Sequence, residues 1–170
     1  GNDLLLGGFN NDILDGGNGT DTASFSDASA GVTVNLDTGI ATDGSSLDTL
    51  TSIENIIGSQ YNDSLTGDNG INNISGGAGN DTLIGGLGND ILTGGSGADI
   101  FKWTAQDINT ASGAPFSDTI TDFSRTEGDK LDLSDVLSGD TPSSDLSNYL
   151  TFSTTGNNVV VSVHADGDSN

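Results

Sequence analysis

Acidic residues recur every nine positions along two stretches of this chain. In the longer stretch, residues 58–102, five nine-residue units follow one another, each starting with Gly and carrying an apolar residue at its eighth place. A shorter array opens the chain. Across both arrays the sixth places hold Asp3, Asp12, Asp21, Asp63, Asn72, Asp81, Asp90 and Asp99. Calcium takes about six to eight oxygen ligands, so carboxylate and amide oxygens at a fixed repeat predict a calcium-binding array.

Glycine fills most turn positions between these sixth-place residues. Because glycine adopts positive φ without strain, it leaves the turn carbonyls free to face an ion. Asn10 stands where its unit would otherwise have a fourth-place Gly. The predicted main-chain ligands are the carbonyls of Gly1, Gly8, Asn10, Gly17, Gly19, Gly77, Gly79, Gly86, Gly88, Gly95 and Gly97.

The nine-residue period predicts how these residues are positioned. A unit with a three-residue strand and a six-residue turn returns to the same face after two units, so coils of eighteen residues stack as parallel strands about 4.8 Å apart. The stacked pairs expected from this register are Asp3–Asp21, Asp63–Asp81, Asp81–Asp99 and Asn72–Asp90. Asp12 has Ala30 at the corresponding position, so its partner is expected upstream. Without metal, two stacked carboxylates repel by about 3 kcal/mol at ~5 Å and a dielectric constant near 20, so folding is expected to depend on the ion.

Three units match the pattern GGxGxDxUx, where U is a large apolar residue; they read GGAGNDTLI, GGLGNDILT and GGSGADIFK. This pattern resembles the calcium-binding nonapeptide of the RTX (repeats-in-toxin) family. The resemblance implies an all-β fold, a right-handed parallel β-roll. It also implies type I secretion, in which the acidic repeats stay unfolded in the calcium-poor cytosol, pass through an exporter and fold outside the cell.

The repeats divide the chain into four segments. Residues 1–24 form the first repeat block, 25–57 an insert, 58–102 the second repeat block and 103–170 a C-terminal capping and secretion-associated segment. The insert shifts the register, because its length is not a multiple of nine.

Alternating apolar residues predict a hairpin within the insert. Val32 and Val34 alternate with polar residues, and a turn then leads to Ile40, so the hairpin is expected to bridge the two blocks. The acidic residues around it are interpreted as solvated turn residues rather than ligands; they are Asp37, Asp43 and Asp48.

After Lys102 the glycine repeat stops and a β-rich cap is predicted. Strands are expected at 119–123, 130–133 and 159–163, a helical turn at 134–139 and a short helix at 145–150; together they would close the end of the roll. The block SDTITDFSRTEGDKLDLSDVLSGD resembles the segment that follows the repeats in type I secretion substrates, particularly large bacterial surface adhesins. Within it, Asp118 and Asp122 are either ligands of one more ion or solvated turn residues.

Composition limits the classes of partner. The chain has 25 acidic residues against three basic ones and a formal net charge of −22, which repels nucleic acid and anionic lipid. No stretch approaches the ~20 apolar residues of a membrane span, so no membrane insertion is expected. The chain has no Cys, so calcium is expected to supply the stability that disulfides give other secreted domains. The absence of Met indicates a piece of a longer protein.

These observations predict a function in calcium binding rather than catalysis. The sequence contains no HExxH, GxSxG or phosphate-binding GKS or GKT motif, so the segment is not expected to be an enzyme. We expect a monomeric module, extracellular or on the bacterial surface, that binds calcium ions and supports secretion of a larger adhesin-like protein. Two alternatives remain open: the C-terminal RTX region of a secreted protease or lipase, and a carbohydrate-binding module.

Overall fold

The computed structural model describes residues 1–107, 116–136, 150–155 and 158–163. All regular secondary structure within these ranges is β-strand. The strands are β1 Leu4–Leu6, β2 Ile13–Asp15, β3 Thr22–Ser24, β4 Thr33–Asn35, β5 Ile40–Thr42, β6 Leu47–Thr51, β7 Asn55–Ile57, β8 Ser64–Thr66, β9 Asn73–Ala78, β10 Thr82–Ile84, β11 Ile91–Ser96, β12 Ile100–Lys102, β13 Phe116–Ile120, β14 Lys130–Asp132, β15 Leu150–Thr155 and β16 Asn158–Val163. Within the described ranges, no helix is long and apolar enough to cross a membrane.

The strands form two eight-stranded sheets. The first sheet has the order β1-β3-β7-β9-β11-β13-β16-β15, and the second has the order β14-β12-β10-β8-β4-β5-β6-β2. In the repeat blocks the chain alternates between the sheets, and neighbouring strands are parallel. Leu65 pairs with Leu83 and Leu83 with Phe101, which is the predicted eighteen-residue register. The fold is therefore the predicted parallel β-roll.

The eighth-place residues form the core between the two sheets. Each lies at the centre of a short strand with its side chain pointing inward, while most of its neighbours at the seventh and ninth places are at least partly exposed. The fully enclosed members are Ala23, Ile56, Leu65, Ile74, Leu83, Leu92 and Phe101. The apolar residues of successive coils stack on one another in this core. The turns between the strands therefore lie along the two long edges of the roll.

The insert forms the predicted hairpin and becomes part of the second sheet. β4 and β5 are antiparallel, and so are β5 and β6. β6 then lies parallel to β2 of the first repeat block, while β4 lies parallel to β8 of the second block. The hairpin therefore joins the two repeat blocks within one sheet.

The described part of the C-terminal segment continues both sheets beyond the last repeat. β13 and β14 each add one parallel strand to a sheet, and β16 and β15 then extend the first sheet with antiparallel pairing. The predicted helical turn at 134–139 begins as a turn at 134–136, and its remainder lies outside the described residues. The predicted helix at 145–150 also lies outside them, apart from Leu150, which begins β15.

Candidate metal centre

The sixth-place residues lie in the turns that lead into the strands, and they form one row along each edge of the roll. The first row, which leads into the first sheet, contains Asp3, Asp21, Glu54, Asn72, Asp90 and Asp118. The second row, which leads into the second sheet, contains Asp12, Asp48, Asp63, Asp81, Asp99 and Asp129. The hairpin interrupts the second row, where the N–H of Val32 donates to Oδ1 of Asp63 at 2.8 Å.

Each row is held together by hydrogen bonds between main chain and side chain. The N–H of Asp63 donates to Oδ1 of Asp81 at 2.8 Å, and the N–H of Asp81 donates to Oδ1 of Asp99 at 2.9 Å. In the first row the N–H of Asn72 donates to Oδ1 of Asp90 at 2.9 Å. One oxygen of each such carboxylate therefore ties two coils together, which leaves the second oxygen as the candidate metal ligand.

Four of the second oxygens are buried and accept no hydrogen bond. They are Oδ2 of Asp21, Asp81, Asp90 and Asp99. These four residues are almost fully enclosed, with side chains at most 1% exposed. A buried ionised oxygen without a partner is strongly unfavourable, so a cation is the expected compensation. We call these four residues the open carboxylates.

Among the buried sixth-place residues of the nine-residue units, the residue at the second place decides whether the side chain is open. In the GlySer unit, the N–H of Ser59 donates to Oδ2 of Asp63 at 2.6 Å. In the GlyAsp unit, the N–H of Asp68 donates to Oδ1 of Asn72 at 2.9 Å. The open carboxylates all belong to GlyGly units, in which the second-place glycine has positive φ: 79° at Gly17, 108° at Gly77, 94° at Gly86 and 99° at Gly95. In these units the N–H of the second-place glycine does not donate to the sixth-place carboxylate of the same unit. The positive φ of that glycine turns its N–H away from the carboxylate.

Main-chain carbonyls line the space beside the open carboxylates. A Cβ on Gly76 would collide with Oδ2 of Asp81 and with the carbonyl of Gly94 in the next coil. A Cβ on Gly95 would likewise collide with the carbonyl of Gly77. Among the described residues no three acidic, His or Cys side chains converge on one point, so an ion here must take most of its ligands from the main chain. Such an all-oxygen environment fits calcium.

Burial also perturbs the acidity of these carboxyl groups. It raises the pKa of Asp81 to about 7, with added repulsion from Asp63 and Asp99. It raises the pKa of Asp90 to about 7 as well, and that of Asp118 to about 6. In the metal-free roll these groups therefore hold protons more tightly than free Asp does, and a bound cation must compete with those protons.

The structure brings together all four residue pairs expected from the eighteen-residue register. Besides the pairs already described, the N–H of Asp3 donates to Oδ1 of Asp21 at 2.6 Å. The residues whose carbonyls were predicted as ligands lie in the turns, except Gly77 and Gly95, which lie in the last parts of β9 and β11. All except Gly1 have positive φ: Gly8, Asn10, Gly17, Gly19, Gly77, Gly79, Gly86, Gly88, Gly95 and Gly97. The carbonyl of Gly1 lies against Gly19 of the next coil.

Two expectations about the insert are wrong. The stacking partner of Asp12 is Asp48, whose Oδ1 accepts the N–H of Asp12 at 3.0 Å, and it lies downstream rather than upstream. Asp48 is also not a solvated turn residue, because its side chain is only 2% exposed. The reason is that β6, whose second residue is Asp48, pairs with β2 as a regular coil would. Asp37 is exposed, and Asp43 caps its own turn by accepting the N–H groups of Ser45 and Ser46.

The two candidate residues of the C-terminal segment lie on different edges of the roll. Oδ1 of Asp118 accepts the N–H of Asp90 at 3.0 Å, and its Oδ2 accepts Nε1 of the buried Trp103 at 2.6 Å. Asp122 instead accepts the N–H groups of Gly94 and Gly95 on the second edge, at 3.0 and 2.7 Å. Asp118 therefore ends the first row, whereas Asp122 caps the N–H groups of the last GlyGly pair and the second row ends at Asp129.

Sequence reasoning missed Glu54, Asp129 and the role of Asp48. The N–H of Asp21 donates to Oε2 of Glu54 at 2.7 Å, and the N–H of Asp99 donates to Oδ1 of Asp129 at 3.0 Å. All three residues stand two positions before an inward-facing apolar residue, as Asp does in the regular units. That acidic-x-apolar tripeptide is the sequence signal that could have identified these three residues as members of the rows.

Comparison with known families agrees with this geometry. Residues 1–23, 48–70 and 66–101 match the model of the RTX calcium-binding nonapeptide repeat, which spans four copies. The second matched range begins at Asp48 and includes Glu54. A search of curated proteins gives no match to this chain. The chain therefore contains an RTX region whose repeats are of the calcium-binding type.

Proposed function

We propose that this RTX region is a module that folds when it meets extracellular calcium and thereby supports type I secretion of a larger, adhesin-like protein. One observation carries the calcium assignment: four buried Asp oxygens lack any hydrogen-bond donor, and main-chain carbonyls of the next coil lie beside two of them, those of Asp21 and Asp81. RTX repeats are typical of secreted proteins, which supports an extracellular or cell-surface location.

The proposed side-chain ligands are the sixth-place residues of both arrays. The open carboxylates would hold ions directly through Oδ2, while their Oδ1 atoms keep the coils in register. Asp63 and Asn72 have one oxygen capped by a second-place N–H, so they contribute less to binding. Asp3 and Asp12 lie at the more exposed end of the roll. A bound calcium ion supplies positive charge and further coordination between adjacent turns.

The charge distribution supports a folding switch. The chain carries a net charge of −22, and its rows place carboxylates one strand spacing apart. At about 4.8 Å and an effective dielectric constant near 20, each ionised pair repels by roughly 3 kcal/mol. Ligands of this kind come together only in the folded chain, so calcium binds the folded state and not the unfolded one. The free energy of calcium binding therefore adds to the stability of the folded state. A chain that is unfolded without calcium can pass through an exporter and then fold outside.

The cap supports the secretion and adhesin part of the proposal. The block from Ser117 to Asp140 resembles the segment that follows the repeats in type I secretion substrates and surface adhesins. Its described strands, β13 and β14, continue the two sheets of the roll beyond the last repeat. We therefore propose a structural, calcium-binding role for this segment rather than a catalytic one.

Circular dichroism of the full chain in calcium and in excess chelator tests the folding switch. We expect β-structure with calcium and a largely disordered spectrum in chelator. Replacing Asp81, Asp90 and Asp99 together by Asn should abolish the response. A matched triple variant at three exposed positions, namely Asp15→Asn, Asp27→Asn and Asp37→Asn, should retain it. An equally β-rich spectrum of the parent chain in excess chelator would refute the proposal.

A further inference from the structure

We propose that the turn at residues 52–54, where the insert rejoins the roll, forms an additional calcium site with Asp21. Glu54 would take the part that the sixth-place Asp of the next coil plays elsewhere, and the carbonyl of Ser52 would replace that of a first-place glycine. This inference rests on the calcium-binding function proposed above. It adds two ligands that lie outside the nine-residue pattern.

Strand register places this turn directly on the turn of residues 16–21. Ala23 of β3 pairs with Ile56 of β7, although 33 positions separate them. From the core residue Leu50 to the core residue Ile56 the chain advances by six positions instead of nine. The turn at 52–54 is therefore three residues shorter than a regular one, yet it occupies a regular position in the first row.

Glutamate compensates for the missing residues. The N–H of Asp21 donates to Oε2 of Glu54 at 2.7 Å, just as the N–H of Asp63 donates to Oδ1 of Asp81 at 2.8 Å. The turn has three residues fewer than a regular one, and the side chain of Glu has one methylene more than that of Asp. The same hydrogen bond is thus made by a longer side chain on a shorter turn.

Ser52 reproduces the carbonyl of the regular site. A Cβ on Gly16 would collide with the carbonyl of Ser52 and with the side chain of Asp21. In a regular unit, a Cβ on Gly76 would collide with the equivalent pair, the carbonyl of Gly94 and the side chain of Asp81. Ser52 holds this position with φ of 51°, a left-handed conformation that is unfavourable for a non-glycine residue.

An unpartnered oxygen faces this arrangement. The side chain of Asp21 is 0% exposed, and its Oδ2 accepts no hydrogen bond. The chain has no Lys or Arg before Lys102, so residues 1–101 offer no basic side chain to neutralise it. Two carboxylates and one carbonyl from adjacent turns therefore supply an oxygen environment in which a divalent cation is the fitting counter-charge.

Counting bound calcium ions by native mass spectrometry, with calorimetric titration of the same proteins, tests the site. Glu54→Gln keeps the side-chain length and an acceptor for the N–H of Asp21 but removes the charge. We expect one fewer tightly bound ion, or at least a tenfold weaker affinity for one ion, with the others unchanged. Asp21→Asn should remove the same ion, so the double variant should lose no more than either single variant. Asp15→Asn, an exposed change of equal charge, should bind as the parent does.

The outcomes separate this site from the general function. If Glu54→Gln and Asp21→Asn both keep the parent's ion count and affinities while Asp81→Asn does not, the additional site is refuted and the calcium-binding function stands. If Asp81→Asn also has no effect on calcium binding, the proposed calcium-binding function is refuted as well. If Glu54→Gln fails to fold at saturating calcium, the isosteric Asp21→Asn decides alone, because its Oδ1 still accepts the N–H of Asp3.

Discussion

Asp81 and Asp63 occupy neighbouring positions in one row, but they differ in whether their second carboxylate oxygen accepts a hydrogen bond. Oδ2 of Asp81 is open, whereas Oδ2 of Asp63 accepts the N–H of Ser59 at 2.6 Å. Replacing either residue by Asn changes one atom and one charge. The two variants therefore test whether the open oxygen, rather than the acidic row as a whole, controls calcium binding.

The expected magnitudes follow from the stacking. Asp81 lies between Asp63 and Asp99, so at pH 8 Asp81→Asn relieves two repulsions of roughly 3 kcal/mol each and stabilises the metal-free roll. With calcium it removes the open oxygen that would hold an ion, and the calcium midpoint should rise at least tenfold, about 1.4 kcal/mol. Asp63→Asn relieves only the repulsion from Asp81, and it weakens three charged hydrogen bonds worth about 1.5–3 kcal/mol each, so it should not stabilise the metal-free roll.

Two titrations followed by circular dichroism measure these effects. In chelator, the osmolyte trimethylamine N-oxide promotes folding, and Asp81→Asn should need less of it than the parent, while Asp63→Asn should need at least as much as the parent. In calcium, Asp81→Asn should need more calcium than the parent, and Asp63→Asn should shift much less. Equal calcium midpoints for the two variants would refute the distinction between open and capped carboxylates.

Three further predictions concern the cap, the pH response and the capped amide unit. A chain ending before Trp103 should need more calcium to fold, because β13 and β14 no longer cover the last coil; an unchanged midpoint would contradict a capping role. Because the pKa values of Asp81 and Asp90 rise from 3.8 to about 7, the metal-free roll should lose stability as pH rises from about 4 through 7, while calcium affinity measured by calorimetry should increase over that range. Asn72→Asp alone should gain little calcium affinity, since the N–H of Asp68 still caps that side chain, whereas adding Asp68→Gly should create one more binding site in native mass spectra.

The regular part of the fold was predictable because a strict period admits one stacking register. The apolar residue at every eighth place fixes which side chains point inward, and the pairing of Leu65 with Leu83 follows directly. The hairpin was predictable from its own alternation of apolar and polar residues. These features depend on local pattern, which the sequence shows.

The irregular coils could not be predicted from spacing. Ile13 pairs with Thr49, 36 positions on, and Ile91 pairs with Thr119, 28 positions on. Stacking is decided by burial of an apolar residue over the preceding coil, and the intervening chain adapts its length to that requirement. The hydrogen bond from Ser59 to Asp63 could not be predicted either. It depends on the φ angle of the second-place residue rather than on the acidic residue itself.

The hairpin also makes the two faces of the roll unequal. Three strands, β6, β5 and β4, separate β2 from β8 in the second sheet, whereas β3 lies directly beside β7 in the first. A regular coil would place a single strand there, so the second face gains two strands and about 10 Å of width. Val34 of β4 and Ala41 of β5 are nevertheless fully buried, so the core extends under the added strands. An insert of this kind therefore widens one sheet of the roll while its own strands still contribute side chains to the shared core.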